Sequence, residues 1–208
     1  PVIVFAGDHG MVSVVKSVDV CCALERTQLR FGREVVYFVD STMVRCWFFT
    51  ARAKRLVTGA LEELGCGHWI TREERRGWGL EGLPECNGEE FFLADPGGVF
   101  SPSFFSSDVR QAPRGMHGYA PEFLDNQAIF IAHRPRACWG GSVGNVEARQ
   151  LFPSILRWLG FDPADFTSVP PVDEREAEPL QQRWTRNGTA EVEETVTHHM
   201  AHCVEAIK

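Results

Sequence analysis

The pattern of apolar and polar positions divides the start of the chain into a strand and a helix. Residues 2–6 are all apolar, which is typical of a strand covered on both faces. Apolar side chains then recur at helical spacing, so the pattern predicts an amphipathic helix over about 19–30 that Gly32 ends. This order of strand, loop and helix in residues 1–32 indicates an α/β core.

The pattern over residues 33–100 predicts a small α+β insert. Two runs of β-branched and aromatic residues, 35–40 and 43–49, follow each other closely and predict a hairpin. A helix is predicted over about 50–64, and the stretches "GHWI" and "EFFLAD" predict two more short strands around a charged turn at 71–77.

Residues 101–166 are predicted to continue the core. A stretch rich in Gly, Pro and Ser over 97–115 indicates a long loop, and "AIFIAH" at 128–133 predicts a second buried strand. The run "FPSILRWLG" predicts a helix with Pro153 in its first turn and Gly160 past its end. Residues 167–208 are acidic and are predicted to form a tail with a late helix.

Composition narrows the classes of function. The 208-residue chain carries a formal net charge of -7, which does not favour binding to a nucleic-acid backbone. No apolar run reaches the roughly 20 residues of a membrane span. The seven cysteines include no Cys-x-x-Cys pair, which indicates scattered core residues. They do not indicate in which cellular compartment the protein is located.

Two sequence motifs offer side chains that can bind a metal. Asp8 and His9 stand at the exit of the first strand, where α/β sheets present ligand-binding residues, and a carboxylate with an imidazole suits zinc. By itself such a pair is more often a strand-end turn with a capping acid. His117, in "HGY" 108 positions after His9 (117 − 9), precedes a strand that could neighbour the first one.

Together these motifs resemble a known family. "GDHGM" after an apolar strand, followed by "HGY" and a strand of the "AIFIAH-x-P" kind, resembles the type I phosphodiesterase/nucleotide pyrophosphatase family of the alkaline phosphatase superfamily. The stretches "FVDSTMVRCWFF" and "LFPSILRWLGF" are also similar to that family, so the resemblance covers about residues 2–161. It implies a three-layer αβα core, present here as a partial sheet with the small α+β insert.

The resemblance also implies a two-zinc site for the hydrolysis of phosphodiester or pyrophosphate bonds, although other divalent metals would suit the same donors. Asp8 and His9 match the ligands of the ion that contacts the nucleophile, and His117 matches a ligand of the other ion. Two such ions can activate a nucleophilic oxygen and stabilise the leaving oxygen. The expected substrate is therefore a small phosphorylated molecule such as a nucleotide or a phosphodiester.

Other parts of the family pattern are absent from this sequence. The family places a Thr or Ser nucleophile, a further Asp and an Asp-x-x-x-His before the Asp-His motif, where this sequence has only seven residues, and no Asp-x-x-x-His occurs in it. One interpretation is the carboxyl-terminal part of a longer enzyme, with an unpaired strand edge that favours self-association. The other is a non-catalytic interaction protein that retains the fold. Both interpretations predict little or no hydrolysis by the 208-residue chain.

Two further groups of residues invite a catalytic or metal-binding role. Ser41 and Thr42 have no neighbouring His or Lys in the sequence, and a turn between strands explains both. The segment "THHMAHC" at 197–203 places histidines four apart and could bind zinc or copper, but an exposed helix that merely contains histidines is the simpler interpretation.

Overall fold

The computed structural model describes residues 2–107, 113–133 and 141–173. The chain divides into two compact units, Val4–Ala132 and a second unit formed by Pro1–Ile3 with His133–Lys208. Four helices and ten strands are assigned within the described ranges, which makes the protein mixed α/β with small sheets. The predicted α/β class is confirmed in this sense, because the described residues combine helices with small sheets.

The largest sheet lies in the first unit and has four antiparallel strands. It is built from β4 (Val35–Asp40), β5 (Met43–Phe48), β6 (Gly67–Trp69) and β7 (Glu90–Ala94), in the order β4-β5-β7-β6. The hairpin predicted at 35–49 is confirmed, with Val39 opposite Val44 beside a two-residue turn. β-branched and aromatic side chains favour these strands because they pack well on a pleated surface.

Two helices complete the core of this unit. α1 (Val20–Arg26) begins at Asp19, whose carboxylate accepts the N–H of Cys22 at 2.8 Å, and α2 (Ala51–Glu62) begins at Thr50. Their apolar faces and the sheet form one buried cluster that includes Val20, Leu24, Val35, Val44, Ala53, Val57, Leu61 and Phe92. The two predicted helices are thus confirmed and shorter than expected. α1 stops early because Gln28 adopts a positive φ of 56° that a right-handed helix cannot continue.

Two stretches that the sequence analysis assigned to turns and loops contain regular structure. The charged stretch at 71–77 is not a turn but a helix, α3 (Arg72–Gly77). Thr71 and Glu74 cap its N-terminus, because the side chain of each accepts the backbone N–H of the other. The loop predicted over 97–115 contains two strands, β8 (Gly98–Phe100) and β9 (Gly115–Met116). Both are too short to show a period in the sequence, and their pairing partners lie far away in the chain.

Three pairs of short strands accompany the main sheet. β1 (Ile3–Ala6) pairs with β10 (Phe130–His133), β2 (Val12–Ser13) pairs antiparallel with β9, and β3 (Lys16–Val18) pairs parallel with β8. The first and last predicted core strands are therefore neighbours.

The expectation that the first strand is covered on both faces is wrong for this structure. Phe5 on β1 is 60% exposed, and Ile131 on β10 is 50% exposed. The physical reason is that β1 and β10 form a sheet of two strands only, so their apolar side chains meet no second layer among the described residues.

The described part of the second unit is built around one helix. α4 (Leu151–Leu159) has Pro153 in its first turn and ends at Gly160, which has a φ of 88°, so the prediction from "FPSILRWLG" is confirmed. The buried hydroxyl of Ser154 donates to the carbonyl of Gln150 and accepts the N–H of Val172. Residues 174–208, which hold most of the predicted tail and its late helix, lie outside the described residues. Within the described ranges, no helix has both the length and the apolarity that crossing a membrane requires.

Candidate metal-binding corner

The structure brings the three candidate ligands of the sequence analysis to one corner of the first unit. The rings of His9 and His117 are stacked, with 3.6 Å between their centroids and 14° between their planes. Asp8 Oδ2 lies 3.4 Å from His9 Nε2. Side chains that are 108 positions apart in the sequence (117 − 9) are therefore in direct contact.

Strand pairing explains this contact. His9 lies between β1 and β2, and His117 follows β9 directly. Because β2 and β9 are antiparallel, with Val12 opposite Met116, the turn before β2 and the turn after β9 lie at the same end of the pair. The β2–β9 pair consists of two residues on each side, and it is the element that closes the distance between the two motifs.

The turn that carries His9 packs tightly against the segment before β10. The N–H of Gly7 donates to the carbonyl of Ile129 at 2.9 Å, and the N–H of Gly10 donates to the carbonyl of Asn126 at 3.0 Å. A Cβ at Gly10 would stand 2.1 Å from the carbonyl oxygen of Asp125. Only glycine allows this close approach of two backbone segments.

The hydrogen bonds of His9 indicate which ring nitrogen is free to act as a ligand. His9 Nδ1 lies 2.7 Å from the carbonyl oxygen of Gly10, which can only accept, so Nδ1 carries the proton and donates. In the neutral ring Nε2 is then an acceptor that faces Asp8 Oδ2, which is also an acceptor. Both atoms therefore have lone pairs available to a cation. An Nδ1–H bonded to a backbone carbonyl is also the usual support of a histidine that binds metal through Nε2.

Asp8 has the freedom that a metal ligand needs. Its side chain is 88% exposed, and Oδ1 accepts the backbone N–H of His9 at 3.0 Å. The carboxylate is thus turned toward the imidazole by a local bond while Oδ2 keeps lone pairs for a further partner.

The turn that carries His117 is fixed by the main sheet. Thr42, in the β4–β5 turn, donates its hydroxyl to the carbonyl of Gly118 at 3.0 Å. Gly118 has a φ of 86°, a conformation that favours glycine, and a Cβ there would lie in a tight contact 3.0 Å from Thr42 Oγ1. Tyr119 is buried and donates its hydroxyl to the carbonyl of Gly98, and burial raises the pKa of this phenol. Tyr119 therefore anchors the turn in the core.

The geometry of the two rings determines how many ions they could bind. A metal bound to imidazole lies close to the ring plane and about 2 Å from the nitrogen. Planes stacked at 3.6 Å and tilted by 14° meet only about 15 Å away, far outside that bond length. His9 and His117 therefore cannot share one ion as they stand. Any ions that the two rings bind would have to be separate, one at each ring.

The corner does not form a complete ligand cage. Within the described ranges, no group of three or more His, Cys, Asp or Glu side chains is arranged to hold a metal ion. The donors fit zinc in type, but they supply only part of each coordination shell. The histidines of the 197–203 segment lie outside the described residues.

Two residues that shape the corner were not identified from the sequence. Thr42 was interpreted only as a turn residue, and Asn126, whose bonds join the two histidine turns, was not singled out. No local pattern marks either residue, since each acts through backbone groups that are distant in the sequence. Thr42 is only 6% exposed, which agrees with its rejection as a nucleophile.

Comparison of the sequence with family models and with curated proteins gives no match.

Proposed function

We propose that the chain contributes ligands to a two-metal site that hydrolyses phosphodiester or pyrophosphate bonds, in the manner of the type I phosphodiesterase/nucleotide pyrophosphatase family that the motifs resemble. The observation that carries the proposal is the stacking of His9 on His117 at 3.6 Å. Two motifs chosen for their order in the sequence supply imidazoles that meet at one corner, where each could bind one ion of a metal pair.

Each residue has a distinct part in this proposal. Asp8 and His9 would hold one zinc ion, with Nε2 and Oδ2 as the donor atoms, and His117 would hold the second. Such a metal pair polarises a phosphoryl group and stabilises the attacking and leaving oxygens. The Gly10 carbonyl accepts the N–H of His9 Nδ1, which leaves Nε2 as the atom of this ring that would bind metal.

We further propose a specific fold for the core and a low hydrolytic activity for this chain. The β1–β10 pair would be part of the sheet of a three-layer αβα core, with the β4–β7 sheet as the insert. The sequence holds three of the ligands that the family pattern implies and no residue that matches its nucleophile. The 208-residue chain would therefore bind metal and a small phosphorylated molecule, and it would hydrolyse little by itself.

Metal binding by the whole chain tests the proposal. Zinc affinity and stoichiometry are measured by calorimetry, in a background in which the three tail histidines, His198, His199 and His202, are replaced by alanine. His9→Ala and His117→Ala should each remove one of the two bound zinc equivalents. His68→Ala is the matched control, because this histidine on β6 of the main sheet is also partly exposed and its ring pairs with Glu74 of α3. Zinc binding that is unaffected by the first two variants would overturn the proposal.

Hydrolysis of bis(4-nitrophenyl) phosphate by the same chain tests the second part of the proposal. With zinc present, the chain should release nitrophenolate at the rate of a buffer control. Robust zinc-dependent cleavage would contradict the assignment of an incomplete site, although it would leave the metal ligands in place.

A non-catalytic interaction protein is the second candidate, and one observation favours it. The β1–β10 pair exposes Phe5 and Ile131 at 60% and 50%, Ile129 directly before β10 is 65% exposed, and exposed apolar strands favour association. Under this candidate the Ile131→Lys variant should lower self-association in sedimentation velocity, and zinc should bind neither the variant nor the wild type at His9 and His117. A wild-type chain that sediments as a monomer at all concentrations would exclude self-association.

A further inference from the structure

Asn126 occupies a special place beside the histidine corner. It ends a short 3-10 helix, Leu124–Asn126, in the segment that leads from His117 to β10. Its side chain is neither fully buried nor fully exposed. The residue therefore lies between the turn that carries His9 and the turn that carries His117, and it can contact both.

Three hydrogen bonds of Asn126 join these two turns. The side-chain Oδ1 accepts the N–H of Gly118 at 3.1 Å, and Nδ2 donates to the carbonyl of Tyr119 at 3.2 Å. The backbone carbonyl of Asn126 accepts the N–H of Gly10 at 3.0 Å. One residue thus binds the backbone next to His117 with its side chain and the backbone next to His9 with its main chain.

The side-chain bonds require an amide. Gly118 offers a donor and Tyr119 offers an acceptor, so the group between them must accept on one side and donate on the other. A carboxylate at this position would place an acceptor against the Tyr119 carbonyl, and an alanine would leave both backbone groups without this partner. Asparagine is therefore matched to the site in both shape and hydrogen-bonding capacity.

The segment that carries Asn126 has its own anchor on the main sheet. The indole Nε1 of Trp78 donates to Glu122 at 2.6 Å. The Trp78 ring and Ala120 pack on a cluster of buried side chains from the sheet and its edge, Ile70, Phe91 and Leu93. The segment that leads to Asn126 is thus also tied to the core.

We propose that Asn126 is the positioning residue of the candidate metal site, which holds the imidazoles of His9 and His117 in register. Its bonds fix the backbone beside each ring of the stacked pair, so the two imidazoles stay in contact at one corner. The role in metal binding rests on the proposed function, whereas the ring contact itself does not.

Histidine ring contacts in the metal-free chain test the proposal. In a sample with labelled histidine, NMR should show a cross-peak between ring protons of His9 and His117 in the wild type. Asn126→Ala should remove this cross-peak, and Asn126→Asp, which keeps one of the two side-chain bonds, should weaken it. Gln127→Ala is the matched control, since this neighbouring exposed amide makes no side-chain hydrogen bond to any residue that the structure describes, and it should preserve the cross-peak.

Zinc affinity provides the second readout. Loss of a residue that orients metal ligands typically weakens metal affinity about 10- to 100-fold, and we expect this for Asn126→Ala but not for Gln127→Ala. Persistence of the ring cross-peak in Asn126→Ala, or its equal loss in Gln127→Ala, would overturn the positioning role. If Asn126→Ala does not fold, the folded Asn126→Asp variant provides the test. A weakened cross-peak in that variant supports the positioning role, and an unchanged cross-peak contradicts it. If the ring contacts behave as expected and the wild type binds no zinc, the positioning role stands and the proposed function fails.

Discussion

Replacement of Gly10 by alanine tests the packing on which the histidine corner depends. The added Cβ would stand 2.1 Å from the carbonyl oxygen of Asp125 and 2.5 Å from that of Gln127. Both neighbours are backbone atoms, so no side chain can rotate to make room. The turn that carries His9 must therefore move away from the segment that carries Asn126.

The cost of this movement has three parts. Forcing a methyl group into a closed contact costs about 1–3 kcal/mol, and loss of the bond from the Gly10 N–H to the Asn126 carbonyl costs about 1 kcal/mol. The lower entropy of the unfolded alanine chain offsets about 0.4–1 kcal/mol. We expect Gly10→Ala to lower the free energy of unfolding by about 1–3.6 kcal/mol and Tm by roughly 2–14 °C.

Urea unfolding followed by circular dichroism measures the change, and Gly59→Ala serves as the control. Gly59 lies inside α2, and nothing stands within 4 Å of the Cβ that alanine would add there. Because alanine favours a helix over glycine, this control should raise the free energy of unfolding by about 0.5–1 kcal/mol. The two substitutions are chemically the same and are expected to act in opposite directions.

The ring contact links this stability test to the site. Gly10→Ala should also weaken the NMR cross-peak between the rings of His9 and His117, because the His9 turn has moved. The Gly10→Ala variant could instead be as stable as the wild type and keep that cross-peak. This result would refute the close packing of the His9 turn against the segment that carries Asn126.

Three further predictions concern the core and its ionisable groups. Phe92 is fully buried against the rest of the core, so Phe92→Ala should cost about 3–5 kcal/mol in urea unfolding; a loss below 1 kcal/mol would contradict this packing. The backbone N–H of Thr71 holds the pKa of Glu74 below its ordinary value near 4.5, so the ionised Glu74 stabilises the fold above pH 4.5 and this stabilisation is lost as the pH falls through the lower folded pKa. A Glu74→Gln variant should therefore lose less Tm than the wild type between pH 5 and pH 3. An equal loss of Tm in both proteins would exclude this effect. Burial raises the pKa of Cys46 to about 12. At pH 8 iodoacetamide should therefore label the exposed Cys86 and leave Cys46 unlabelled until urea unfolds the chain, which peptide mass spectrometry measures. Labelling of Cys46 in the folded chain would contradict its burial.

Local patterns in the sequence predicted the main elements of the first unit. The two β-branched runs at 35–40 and 43–48 and the apolar face of α2 produced the hairpin and the helix that the structure contains. These elements were predictable because the alternation of side chains along a strand or helix is a property of the local backbone. α3 was missed although Thr71 and Glu74 have the spacing of a capping box, since its six residues include no buried side chain.

Elements that depend on distant partners were not predictable from local patterns. β8 and β9 are two or three residues long and exist only because β3 and β2 lie beside them. The exposure of β1 was missed for the same reason, because an apolar run shows that a strand can be covered but not whether a second layer is there. A strand acquires its partners from the whole fold.

The sequence by itself determined the kind of chemistry that the corner could perform. A carboxylate and two imidazoles are metal ligands wherever they occur, and their motifs were visible in Asp8, His9 and His117. Only the tertiary structure decided that these side chains meet, through the pairing of β2 with β9 and through the bonds of Asn126 to both turns. The physical reason is that residue type sets what an atom can bind, whereas the distance between atoms 108 positions apart (117 − 9) is set by the packing of the chain between them.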